Sequence, residues 1–252
     1  MSILASNEFY EISIANELAI LNVKSRVFDF ITDVTLTDKL SAFILGIDHN
    51  PDIKALIFYN DPESLNEENY DRFIQGILQR NESSNECDPP CFCEKNTRFR
   101  EIISLNKIIR NIASLQKIVI SGIQGNVVTP FVGASMVADF RYASEDAVFS
   151  MIHNKYGLHP SGGLPFFLTN YLNHSKAMEI QLSDKIDAEK AFDLGLLTKI
   201  LPTDNFIHHL LEEVKKYTAI KYCTIRDTKR LTNFNRNELR DYFEYEASLL
   251  NL

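Results

Sequence analysis

Lys117-Ile-Val-Ile-Ser-Gly-Ile-Gln-Gly125 leads through Asn126-Val-Val-Thr-Pro-Phe-Val-Gly133 into Gly133-Ala-Ser-Met-Val-Ala-Asp-Phe-Arg-Tyr-Ala-Ser-Glu-Asp-Ala-Val-Phe149. The reading of the fold turns on this stretch. Ile118 to Gly122 is a short continuous apolar run, the pattern of a strand buried on both faces. Pro130 fits the first position of a helix, where its missing N–H is harmless. The N–H groups of Phe131 and Val132 at that helix start are placed to face an anion.

The flanking sequence alternates the same two signals. Upstream, Phe99 to Leu115 repeats Ile102, Leu105, Ile109 and Ile112 near a 3.6 period, which predicts a helix. Lys54 to Tyr59 predicts a fully buried strand that ends in the polar loop Asn60 to Ser64. Tyr10 to Ile14 and Leu18 to Val23 read as strands. Thr37 to Ile47 and Glu67 to Leu78 read as helices. Strands alternating with helices imply an α/β core. Downstream, Phe206 to Tyr217 and Leu239 to Leu250 are amphipathic helices suited to packing on the domain or on a partner. Between the helices, Arg80 to Thr97 is rich in Asn, Ser, Pro and Cys and is expected to be a flexible insert.

A formal net charge of −8 excludes the broad basic surface of a nucleic-acid binder. No run of eighteen apolar residues is present, so no membrane span is expected. The first nineteen residues lack a basic leader segment, and the expected compartment is the cytoplasm. Cys87, Cys91 and Cys93 cluster in the insert. A closed zinc site needs four ligands, so a reduced loop is the favoured reading and metal the weaker one.

The segment from Lys117 to Pro202 resembles the crotonase superfamily, the enoyl-CoA hydratase/isomerase family. Four pieces carry the resemblance in order: the strand and turn ending at Gly125, the helix and strand from Gly133 to Phe149, the turn Gly157-Leu-His-Pro-Ser-Gly-Gly163, and Asp184 to Pro202. The resemblance implies an α/β crotonase-like fold, a ββα spiral over residues 1–200 with a C-terminal helical region over 201–252 used for trimerisation. It also implies an acyl-CoA or related thioester as ligand, a homotrimer or dimer of trimers, and no cofactor. In the family two backbone N–H groups hold the thioester oxygen as negative charge develops on it.

Three positions carry the chemistry. One family carboxylate falls on Gly133, which has no side chain. The other falls on His153, a residue able to move protons near neutral pH. One hole donor falls on Pro130, which has no N–H; Phe131 is its neighbour. The other donor belongs to the loop after Tyr59, where Ser64 and Asn66 are the polar candidates. Ser64 with Glu67 also fits a helix-capping box, and Asn66 offers a second cap. Tyr156 and His159 complete the cleft candidates, and Asp139 is expected to bond backbone at the end of its helix. Two readings stay open: an enzyme with non-standard acid/base residues, and a non-catalytic protein that binds an acyl ligand or serves as an oligomeric partner.

Overall fold

A computed structural model describes residues 2–78 and 90–249. The chain opens with β1 (Ser2–Ser6), β2 (Tyr10–Ala15) and β3 (Leu18–Val23). Asn16, at φ 53°, turns the β2–β3 hairpin. Helices α1 (Val27–Thr32) and α2 (Val34–His49) follow, and Asp33 caps α2 by accepting from the Leu36 N–H. β4 (Ala55–Asn60) returns parallel to β3, and α3 (Glu67–Ile77) and α4 (Lys95–Ser114) lead to β5 (Ile118–Ile123).

From β5 a unit of strand, short strand and helix repeats. The first unit continues with β6 (Asn126–Val128) and α5 (Phe131–Ser135). The second is β7 (Phe140–Ser144), β8 (Val148–Ser150) and, after a 3-10 turn at Ile152–Tyr156, α6 (Leu164–Tyr171) and α7 (His174–Gln181). β9 (Lys185–Asp187), α8 (Ala188–Asp193) and β10 (Lys199–Leu201) close the spiral. The C-terminal helices are α9 (Phe206–Thr218), α10 (Tyr222–Thr232) and α11 (Leu239–Ser248).

The first strand of each unit joins a seven-stranded sheet, β1-β2-β3-β4-β5-β7-β10, parallel from β3 onward. The second joins a three-stranded sheet, β6-β8-β9. After β4 that second strand shrinks to one contact, in which the Val128 N–H donates to the Leu65 carbonyl at 3.0 Å. One face of the large sheet, with Leu56, Val119 and Ala143, belongs to the core that holds Ile31, Ile44 and Ile109 of α1, α2 and α4. The other face, with Ile57, Ile120 and Tyr142, packs with Phe206, Leu210 and Val214 of α9. Helices on both faces explain why these strands are continuous apolar runs rather than alternating ones.

Some local expectations change. Helix α4 begins at Lys95, inside the stretch read as a flexible insert, and Phe92 of that stretch bridges Leu78. Residues 80–89 of the insert, with Cys87, lie outside the described residues. Asp139 does not serve the end of its own helix. Its carboxylate accepts from the Val119 N–H at 2.8 Å and from the Lys229 ammonium at 2.7 Å. Lys229 also donates to the Lys117 carbonyl at 2.7 Å, so one buried ion pair ties α10 to the starts of β5 and β7. Burial lowers the Lys229 pKa, and Asp139 opposes that shift.

Replacing Asp139 with Ala leaves the Lys229 charge buried and unmatched. The expected loss is about 3–5 kcal/mol in urea unfolding. Combining Asp139→Leu with Lys229→Met is expected to recover most of it, because the uncompensated charge is then gone.

Candidate active-site region

The C-terminal ends of β4 and β5 open toward α1, α4 and α5 around a cavity of about 90 Å³. Leu65 from the loop after β4 and Phe131 from the start of α5 both stand in its wall. Leu105, Ile108 and Ile109 of α4 line the far side. Two of its polar neighbours are engaged internally. Asn60 donates to the Asp61 and Gln124 carbonyls, both at 2.9 Å, and Ser135 donates to the Val132 carbonyl at 2.7 Å. Burial raises the pKa of the Tyr59 phenol, which stays neutral. The cavity therefore suits an apolar chain, and its wall presents no carboxylate or imidazole to move a proton.

Phe131 is the sequence candidate that reaches this wall; Gly133, His153, Tyr156 and His159 lie outside it. Gly133 is packed without space. A Cβ there would lie 2.5 Å from the Gly162 carbonyl oxygen and 2.8 Å from the Leu164 nitrogen. Gly162, at φ +70°, approaches Pro130 as closely: a Cβ on it would lie 2.3 Å from the Pro130 carbonyl oxygen. The turn that seats α6 thus lies directly on α5. Pro130 is the residue preceding α5, one position earlier than expected, and its carbonyl accepts from the Ala134 N–H at 3.1 Å.

His153 is 3% exposed. Its Nδ1 lies 3.1 Å from the Thr129 hydroxyl, and the ring also bonds the Gln181 carbonyl. The Thr129 hydroxyl also lies 3.2 Å from the Ser150 carbonyl, so its single proton is shared between that oxygen and Nδ1. Burial pushes the imidazole from its ordinary 6.5 down to about 4; the Gln181 bond opposes this and the nearby His159 adds to it. His159 does not bond His153. Its Nδ1 lies 3.1 Å from the Pro160 carbonyl, and burial lowers its pKa as well. Both rings are neutral at physiological pH.

The remaining candidates have structural partners. Asn66 caps α3 by accepting from the Asn69 N–H at 3.0 Å, whereas Ser64 donates to the Asp61 carbonyl at 2.8 Å and is not the cap. Tyr156 donates to Asp71 at 2.6 Å, and Lys155 pairs with the same carboxylate at 2.6 Å. Cys91, Cys93 and Cys223 are exposed. Among the described residues no three His, Cys, Asp or Glu side chains are grouped to hold a metal.

Two buried carboxylates escaped the sequence reading. Glu101 of α4 pairs with Arg98 at 2.5 Å, both about 1% exposed, and Tyr70 also bonds Arg98. Burial raises the Glu101 pKa, with Arg98 opposing. Glu246 of α11 accepts from the Gly163 N–H at 3.2 Å and from the Asn106 amide at 3.3 Å. Burial raises its pKa, and these bonds hold it back. Both residues sit on the apolar stripes of their helices, Arg98-Glu101-Leu105-Ile109 and Leu239-Phe243-Glu246. A charge at a core position of a helical period is the signal that would have marked them.

A sequence profile described as enoyl-CoA hydratase/isomerase matches residues 93–251. A mitochondrial enoyl-CoA hydratase of Pongo abelii is 28% identical over 129 residues, 50% of this chain and 44% of that protein. A crotonyl-CoA hydratase of Syntrophomonas wolfei is 30% identical over 111 residues, 44% of this chain and 41% of its own length. The matched regions span less than half the length of these curated relatives. In three dimensions the crystal structure of an enoyl-CoA hydratase from Bacillus halodurans superposes with a TM-score of 0.75 at 18% identity, over 96% of this chain and 93% of that one. That likeness concerns the fold.

Two measurements test this geometry. Gly133→Ala is expected to destabilise the fold by about 1–3 kcal/mol, because the added methyl meets backbone that cannot step aside. The second concerns pH. The unfolded chain binds a proton on His153 below pH 6.5, and the folded chain does so only near 4. The His153 contribution is therefore complete above pH 6.5 and lost as pH falls toward 4, by about 3 kcal/mol. Urea unfolding of the wild type and of His153→Gln at pH 7.5 and pH 4.5 is expected to show a smaller drop in the variant.

Proposed function

The chain belongs to the enoyl-CoA hydratase/isomerase family, and from that premise we propose that it binds the acyl end of a thioester such as acyl-CoA without hydrating it. The observation that carries this reading is the packing at Gly133. Where the family pattern calls for a carboxylate, the Gly162–Leu164 backbone leaves no room even for a methyl group. Adding water across a double bond requires one group to activate water and another to deliver a proton to carbon. Gly133 supplies neither, and His153 is buried, neutral and bonded to Thr129 and Gln181. Pro130 removes a donor from the thioester oxygen as well.

The apolar cavity supports the binding half of the proposal. Its wall contains Leu65 and Phe131, from the two segments to which the family pattern assigns the oxygen-holding amides. At about 90 Å³ it is smaller than a cavity of roughly 150 Å³ that takes benzene, so the acyl group it favours is short. A homotrimer belongs to the same proposal; exposed Met178, Leu182 and Phe192 give self-association an apolar surface.

Titration calorimetry with butyryl-CoA and an absorbance assay of crotonyl-CoA hydration test the proposal together. Binding without turnover is expected, and Ala134→Leu, which fills the cavity, is expected to weaken binding by about tenfold or more. Hydration at about 1 s⁻¹ or faster, an ordinary enzymatic rate, would refute the non-catalytic reading. Undetectable binding of any short acyl-CoA would refute the ligand.

A further inference from the structure

The C-terminal ends of α4 and α10 meet the start of α11 around a second cavity of about 570 Å³, with no lining residue in common with the apolar one. Its wall carries Arg110, Lys229, Arg230, Arg236 and Arg240, and no Asp or Glu. Lys229 is matched by Asp139, and Arg240 by Asp241 and Glu244 at 3.5 and 3.7 Å. Among the described residues, Arg110, Arg230 and Arg236 have no carboxylate within ion-pair distance. Arg236 is held in place by donating to the Val137 carbonyl at 2.8 Å and the Tyr171 hydroxyl at 3.1 Å. The Arg110 Nε is buried and has no acceptor.

Cations at helix C-termini have an ordinary explanation, since each such end carries roughly half a negative charge. The two C-terminal ends offset about one cation, the N-terminal end of α11 gives back about half a positive charge, and three arginines stand without an ion-pair partner, the Asp227 near Arg230 being paired with Arg226. The surplus is at least about two positive charges, in a chain whose net charge is −8. A phosphate monoester carries about −1.5 to −2 at neutral pH, which matches that surplus, and guanidinium forks suit its oxygens. Phe234, 72% exposed, adds a flat apolar surface to the wall.

We propose that this cavity binds a phosphorylated small molecule, with Arg110, Arg230 and Arg236 holding the phosphoryl group. A nucleoside monophosphate and free phosphate share this chemistry; in the former the base ring lies on Phe234, since stacking on an aromatic face is tolerant of base identity. The proposal stands independently of the acyl-binding site.

Titration calorimetry of the full chain at low salt, with inorganic phosphate, AMP and adenosine, tests it. Phosphate and AMP are expected to bind, adenosine not to, and the affinity to fall as salt is raised. Arg230→Ala changes an exposed side chain and keeps the fold; it is expected to weaken both anions by about tenfold, as is Arg110→Ala. AMP binding more tightly than phosphate, with the difference abolished by Phe234→Ala, identifies the nucleotide; equal affinities identify the phosphoryl group alone. An absence of heat with both anions up to millimolar concentration overturns the proposal. So does binding that Arg230→Ala leaves unchanged.

Discussion

A close backbone approach joins Gly133 of α5 to the Gly162–Leu164 turn ahead of α6. Much of the architecture follows from it. Because neither Gly133 nor Gly162 carries a side chain, two chain segments touch at backbone distance. Seated that way, the turn presents the Gly163 N–H to Glu246, and this bond anchors α11 across α4 through Asn106. Phe243 of the same helix comes within 3.1 Å of where a Gly163 Cβ would be, so the C-terminal helix closes over the turn. One contact thus decides that the space beside α5 is filled by main chain rather than by a reactive group.

The balance of polar and apolar surroundings has a second consequence. The small cavity beside α5 is walled mainly by apolar side chains of β4, β5, α1, α4 and α5. The ionisable groups of this region are gathered instead near the start of α4 and the turn after β8, where Arg98, Glu101, His153 and His159 are held by one another or by backbone. The apolar space and the titrating groups are thus kept apart in the fold.

How much of this could be read from the residues varies by element. The buried strands at Leu18, Lys54 and Ile118 were legible because helices on both faces demand unbroken apolar runs. The family kinship was legible because glycine turns and a helix recur in order from Lys117 to Pro202. The cap of α3 was only half legible: Ser64 and Asn66 have equivalent capping chemistry, and only the path of the backbone chooses Asn66. His153 could be placed along the chain, but its neutrality depends on burial among residues distant in sequence. Arg98, Glu101 and Glu246 were hidden because a helical stripe is identified by its apolar members, and charged residues within it are easily assigned to the outer face.

The Arg98–Glu101 pair also shapes how this sequence can change over evolutionary time. With both side chains about 1% exposed, loss of either partner strands the other's charge beneath Phe92, whose ring lies 5.5 Å from the guanidinium. Replacing both together with apolar residues carries no such burden. The two sites are therefore epistatic: a lineage crosses between the charged and apolar forms in a coupled step, or by way of intermediates that fold poorly.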